Sequence, residues 1–221
     1  MSDYRTRFLH LALRAQALRF GEFTLKSGRV SPYFFNAGRF DSGAALAELA
    51  ACYADAVDAA SLQFDLPAFD MLFGPAYKGI PLATALACEY ARRGRDLPLA
   101  FNRKQAKAHG EGGSLVGAPM AGKRVLIVDD VITAGTAIRE ALAIIRDAGG
   151  IPAGIVIALD RQERVGEHTR VSAAQAMTDE HGIDVVAVAR LDDLLEFVGE
   201  SAELVGQRAA LSAYRARHGC A

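Results

Sequence analysis

The sequence predicts an α/β fold in which a mainly parallel sheet is covered by helices. Three observations carry that expectation. Short apolar runs of strand length alternate with longer stretches of helical periodicity. The strand runs are apolar almost throughout, as strands buried on both faces of a parallel sheet must be. Glycines stand where the intervening helices should stop, at Gly94, Gly149-Gly150 and Gly182.

Taken in order, Phe8, Leu11, Ala15 and Leu18 recur at helical spacing, with Gly21 as the expected stop. Glu22 to Lys26 and Val30 to Asn36 read as two short strands around a hairpin turn at Ser27-Gly28-Arg29. Asp41 or Ser42 can cap an alanine-rich helix that runs to about Ala60. Alternation follows: strands at Met71 to Phe73, Leu99 to Asn102, Arg124 to Val128, Ile155 to Leu159 and Asp184 to Ala189. Helices are expected at Gly79 to Arg93, Gly135 to Ala148, a stretch closed by His181-Gly182, and Ser201 to Arg217. Residues 1–40 precede the alternation and are expected to form a small hood over the site, within one domain whose core is 41–221.

With 221 residues, 51% of them apolar, the chain can bury a sizeable core. A net charge of −1 gives no sign of disorder or of a nucleic-acid-binding surface. Cys52, Cys88 and Cys220 are far apart without metal-ligand spacing, and the first two are read as buried thiols in helices. That usage fits a reducing compartment, and no apolar run of membrane-spanning length or signal core is present, so the expected location is cytoplasmic.

The most informative run is VLIVDDVITAGTA, Val125 to Ala137. A buried strand ends in two carboxylates, Asp129 and Asp130. Thr133, Gly135 and Thr136 then supply the small residues of a tight loop, and a helix begins. Backbone N–H groups of such a loop, with the positive end of the helix behind them, face a phosphate. The carboxylates beside it can accept hydrogen bonds from ribose hydroxyls or hold a hydrated cation. This order builds a site for a phosphorylated sugar.

Other segments add charge. RKQAKAHGEGG, Arg103 to Gly113, holds Arg103, Lys104, Lys107, His109 and three glycines, and reads as an exposed, mobile loop. It is either a solvated turn or a set of cations that closes over a diphosphate leaving group. Gly74-Pro75 forces a turn after a strand, and Lys78 follows it as a diphosphate contact or a solvated lysine. Phe34 and Phe35 are adjacent on a strand and point to opposite faces, so one can be core and the other can meet a flat ligand. Arg161, just past a buried strand, either pairs with Glu163 or offers its planar fork to a ligand carboxylate.

The run Val125 to Ala137 resembles the phosphoribosyl-diphosphate (PRPP) signature of the type I phosphoribosyltransferases. With KSGRVSPYFFNAG (Lys26 to Gly38), GPAYKGI (Gly74 to Ile80), FNRKQAKAHGEGG (Phe101 to Gly113) and LDRQER (Leu159 to Arg164), the chain resembles the orotate branch of that family from about residue 8 to 200. The resemblance implies a type I phosphoribosyltransferase fold and transfer of phosphoribose from PRPP to orotate in pyrimidine synthesis. It implies that Lys26, Tyr77, Lys78, Arg103, Lys104, Lys107 and His109 contact PRPP, chiefly its diphosphate. Asp129, Asp130, Val131, Ile132, Thr133, Ala134, Gly135, Thr136 and Ala137 would hold its ribose and 5′-phosphate. Phe34, Phe35, Thr133 and Arg161 would meet orotate, with Lys107, Asp129, Asp130 and Lys26 nearest the chemistry.

The resemblance further implies Mg²⁺, held mainly by the diphosphate and ribose hydroxyls with no direct protein ligand. It also implies a homodimer in which loop residues 103–113 reach the partner's site. Two competing readings remain: a phosphoribosyltransferase for another nucleobase, and a non-catalytic PRPP sensor. Arg161 and the Lys26 hairpin argue against the first. Residues 1–40 are too short and too little basic for the DNA-binding module that the second usually carries.

Overall fold

The computed structural model describes residues 3–25, 28–63, 66–107, 113–166 and 169–220. Helix α1 (Tyr4–Arg14) begins under an N-cap at Asp3, whose carboxylate accepts from the Arg5 N–H. Strands β1 (Leu18–Thr24) and β2 (Val30–Phe35) form an antiparallel two-stranded sheet. The first helix is shorter than its periodicity suggests, because Gln16 takes a left-handed φ of 54° and turns the chain. Leu18 is therefore the first residue of a strand, and Gly21, the expected helix stop, lies inside β1.

Helix α2 (Gly43–Gln63) starts with the Ser42 hydroxyl accepting from the Ala45 N–H at 3.2 Å. Then come β3 (Met71–Gly74), α3 (Gly79–Arg92), β4 (Leu99–Lys107), β5 (Gly113–Gly117) and β6 (Arg124–Asp129). The chain closes through α4 (Thr136–Asp147), β7 (Ile151–Asp160), α5 (Ala173–His181), β8 (Val185–Arg190), α6 (Leu191–Glu200) and α7 (Arg208–His218).

Six strands make the main sheet in the order β5-β4-β3-β6-β7-β8, parallel except for the edge strand β5. Alternate residues of its strands feed two cores. Leu72, Leu126, Val128 and Val156 face α1, α2, α3 and α6, while Met71, Phe73, Ile127 and Ile155 face α4 and α5. Helices α3 and α4, which follow the adjacent strands β3 and β6, thus lie on opposite faces. Between those two strands the winding reverses, and a crevice must open at their carboxyl ends.

Three further expectations need correction, and one helix, α6, was not expected at all. Arg103 to Lys107 is not loop: it continues β4 and, past an irregularity in the register, brings Lys107 opposite Gly113 of β5, which the glycine-rich composition concealed. Helix α6 follows β8 without a loop, started by the Asp193 carboxylate accepting from the Arg190 N–H at 2.7 Å. The C-terminal helix begins at Arg208, after a 3₁₀ turn at Val205–Gln207, rather than at Ser201. Cys88 is exposed on α3, and the neighbouring Glu89 is buried instead, gripped by Arg92 and Arg93 at 2.7–2.8 Å.

Where β3 turns into α3, backbone meets backbone. A Cβ on Gly74 would lie 2.4 Å from the Gly79 carbonyl oxygen, and one on Gly79 would lie 2.7 Å from that of Val128. Gly74→Ala is expected to cost about 1–3 kcal/mol of stability by overpacking. Its denaturant midpoint measures this, and an unchanged midpoint would contradict the close approach.

Candidate active site

Asp129 is the last residue of β6 and Asp130 the first beyond it. Both are buried, at 7% exposure each. Each is held through its main chain. The Tyr53 hydroxyl, from α2, donates to the Asp129 carbonyl at 2.8 Å, and the Ala158 N–H, from β7, donates to the Asp130 carbonyl at 2.9 Å. The Asp130 N–H donates to Asp129 Oδ1 at 2.9 Å. The carboxylates are thus fixed from both neighbouring layers without either being neutralised by those contacts.

Lys78 supplies the opposing charge. It ends the turn after β3, the strand beside β6, and its Nζ donates to Asp130 Oδ2 at 2.7 Å. Asn102, in β4 on the far side of β3, accepts from the Ala76 N–H at 2.8 Å and ties that turn down. The Ala76–Tyr77 peptide is cis. Tyr77 is exposed, and Lys104 Nζ stands 5.3 Å from its ring centroid. Lys78 thus meets the acidic pair directly and Lys104 stands over Tyr77 of the same turn, while Arg103, between Asn102 and Lys104 in β4, alternates to the opposite face of the strand. Lys26 and His109, and the side chain of Lys107, lie outside the described residues.

Beyond Asp130 the chain loops through Val131, Ile132, Thr133 and Ala134 into α4. Gly135 caps the helix with a φ of 75°, in the left-handed region that favours glycine. Ile132 is buried and anchors the loop, while Thr133, Ala134, Thr136 and Ala137 are exposed. The Ala134 carbonyl is pulled back by Arg139 Nη1 at 2.8 Å, and Arg139 is itself held by Glu180 of α5 at 2.6 Å. Among the described residues, none accepts from the main-chain N–H groups of residues 131–138. An array of free N–H donors at a helix N-terminus is built for an anion.

Phe34 and Phe35 separate as their adjacency demands. Phe35 is core, 6.1 Å from the Phe8 ring and 6.3 Å from that of Phe40. Phe34 is half-buried on the other face with Phe23 and Arg19. Arg161, one residue past the end of β7, is bound to Glu163 and touches Ser31 of the hairpin. Both alternatives for Arg161 thus remain compatible, since its pairing with Glu163 leaves Nη1 without a partner among the described residues.

Sequence reading missed Tyr53, Asn102 and Arg139. Tyr53 was legible as the one aromatic in an alanine-rich helix, and Asn102 as a polar residue ending an apolar strand. Arg139 looked like any surface residue of α4.

Burial first, and the charge of Asp130 second, push the Asp129 carboxyl up to about 7. The native state therefore holds this proton more tightly than the unfolded chain does. The stability it contributes is full below about pH 4, the ordinary carboxylate value, and is lost as pH rises through about 7. Asp129→Asn keeps the acceptor for the Asp130 N–H and removes the charge. The variant should gain stability relative to the wild-type chain as pH rises across that window, read from urea midpoints. A constant difference would contradict the raised value.

Among the described residues, no group of three or more acidic, histidine or cysteine side chains could cage a metal, and no helix is long and apolar enough to cross a membrane. The phosphoribosyl transferase domain family matches residues 45–188, which span β3 through β8. The chain is 73% identical over 219 residues to the orotate phosphoribosyltransferase of Xanthomonas euvesicatoria pv. vesicatoria (strain 85-10), covering 99% of this chain and 98% of that one. It is 70% identical over the same coverage to that of Stenotrophomonas maltophilia (strain R551-3). The crystal structure of the Francisella tularensis orotate phosphoribosyltransferase superposes with a TM-score of 0.82 at 42% identity, covering 96% of this chain and 98% of that one. The acidic pair, the open loop and the crevice between β3 and β6 thus stand on a fold shared along its whole length, and the chain belongs to the orotate phosphoribosyltransferase family of type I phosphoribosyltransferases.

Proposed function

We propose that the chain transfers the phosphoribosyl group of PRPP to N1 of orotate, releasing diphosphate and forming orotidine 5′-monophosphate in pyrimidine biosynthesis. The observation that carries the reading is the convergence, at the carboxyl ends of adjacent strands, of a buried acidic pair, a loop of N–H donors without acceptors among the described residues, and Lys78. The loop Val131 to Ala137 takes the 5′-phosphate, and Asp129 and Asp130 accept from the ribose hydroxyls. Lys78, released from Asp130, turns to the diphosphate with Arg103 and Lys104.

Breaking the bond from ribose C1 to diphosphate leaves positive charge on the ring and negative charge on the leaving group. The carboxylates lie on the side of the first, and the lysines and arginine on the side of the second. Arg161 takes the orotate carboxylate, while Phe34 and Thr133 border the ring; Phe35, being core, supports from behind. Lys26, Lys107 and His109 are assigned to PRPP from the sequence. Orotate attacks through a nitrogen that is already anionic or easily made so.

The donor set suits Mg²⁺ in one manner only. Two adjacent carboxylates, one with its proton held near neutral pH, favour a cation beside them but provide too few ligands to cage it. Asp129 and Asp130 would favour the ion nearby without ligating it directly, and it would supply positive charge to offset that of the diphosphate. Residues 103–113 reach into a second copy's site in a cytoplasmic homodimer.

Mixing the chain with PRPP, Mg²⁺ and orotate should deplete orotate absorbance, while adenine or uracil in its place should be inert. Turnover of those bases but not of orotate would overturn the reading. Lys107→Ala should lower kcat by about 10²–10³-fold with the fold intact, and near-wild-type turnover would remove Lys107 from the leaving-group set.

A further inference from the structure

Arg161 is almost wholly covered, and its fork is held along one edge. Its Nε and Nη2 lie 2.7 and 2.6 Å from Glu163 Oε1. Nη2 is also 3.4 Å from the Ser31 hydroxyl, and Cζ stands 4.9 Å from the centroid of the Tyr33 ring. Nη1 has no partner among the described residues. A guanidinium clamped along one edge presents the other in a fixed direction.

Glu163 does not depend on Arg161 for its place. The Tyr214 hydroxyl, from α7, donates to Oε1 at 2.8 Å, and Arg29 Nη1 stands 3.5 Å from Oε2. Tyr214 is buried and meets the fully buried Tyr33 edge-on, with ring centroids 6.1 Å apart. The main chain stitches the same two segments together. The Arg164 N–H donates to the His218 carbonyl at 3.0 Å, and the Cys220 N–H to that of Gln162 at 2.8 Å. If Glu163 left Arg161, it would abandon partners on α7 and on the hairpin for nothing in return. Its geometry is that of a brace and not of a competitor.

We propose that Tyr214 and Glu163 are positioning residues through which the C-terminal helix aims the open edge of Arg161 at the carboxylate of orotate. This rests on the reading above that Arg161 takes that carboxylate. Discrimination for an acidic base is then set partly by α7, which itself touches no substrate.

Steady-state kinetics on the full chain test it, with melting temperatures recorded alongside. Tyr214→Phe keeps the ring and removes the bond to a charged group, and should raise KM for orotate about 3- to 10-fold. Glu163→Gln should raise it further, with KM for PRPP in both variants staying within about twofold. A purely structural role would raise both constants together or lower kcat alone, and either result overturns the proposal. A lower KM for orotate in Glu163→Gln overturns it as well, since Glu163 would then compete for Arg161. Arg161→Lys separates the two levels. If it raises KM for orotate while Tyr214→Phe and Glu163→Gln do not, the brace alone fails; if it changes nothing, the reading of Arg161 fails first.

Discussion

Two carboxylates stand in adjacent positions, both buried at the end of a central strand, and burial together with the charge of Asp130 makes Asp129 resist ionisation. Everything around the site accommodates that constraint. Tyr53 and the Ala158 N–H hold the main-chain carbonyls of Asp129 and Asp130 rather than their charges, so the side chains stay available. Lys78 neutralises Asp130, and Asp129 is left with its proton held near neutral pH. Above about pH 7 the ionised Asp129 therefore costs stability.

The sheet supplies the geometry. Because α3 and α4 leave opposite faces after neighbouring strands, the ends of β3 and β6 open onto a common crevice instead of being covered. Gly74 and Gly79 let the backbone of the turn sit against β6, which brings Lys78 within reach of Asp130. On the other side of β6, Arg161 follows the end of β7, against Ser31 of the N-terminal hairpin and, through Glu163, against the C-terminal helix. Lys78, the acidic pair and Arg161 thus follow one another in the order of the strands β3, β6 and β7 that carry them.

Much of this was legible beforehand. The apolar run ending in Asp129-Asp130, the small residues of the loop and the glycine at the cap all reflect local chemistry, and local chemistry is what sequence patterns record. Gly135 was read as a small residue of the tight loop, and its positive φ at the helix cap gives the reason a glycine stands there. What was missed depends on distant partners. Strand β5 exists because β4 extends beyond its apolar part to pair with it, and the glycines hide that. The spacing of Leu18 mimicked one more helical turn until Gln16 reversed the chain. Tyr53, Arg139 and the link from Tyr214 to Glu163 join residues 76, 5 and 51 positions apart, and only the fold brings the first and last pairs together.

On the proposed function, the acidic pair receives the ribose hydroxyls and an accompanying cation, which would favour the ionised form of Asp129. Calorimetric titration of PRPP with Mg²⁺ into the wild-type chain and into Asp129→Asn, near pH 7 in buffers of different ionisation heat, tests it most directly. The account predicts that binding releases more protons from the wild-type chain than from the variant, because the ligand stabilises the ionised Asp129. Equal proton release from both would contradict it.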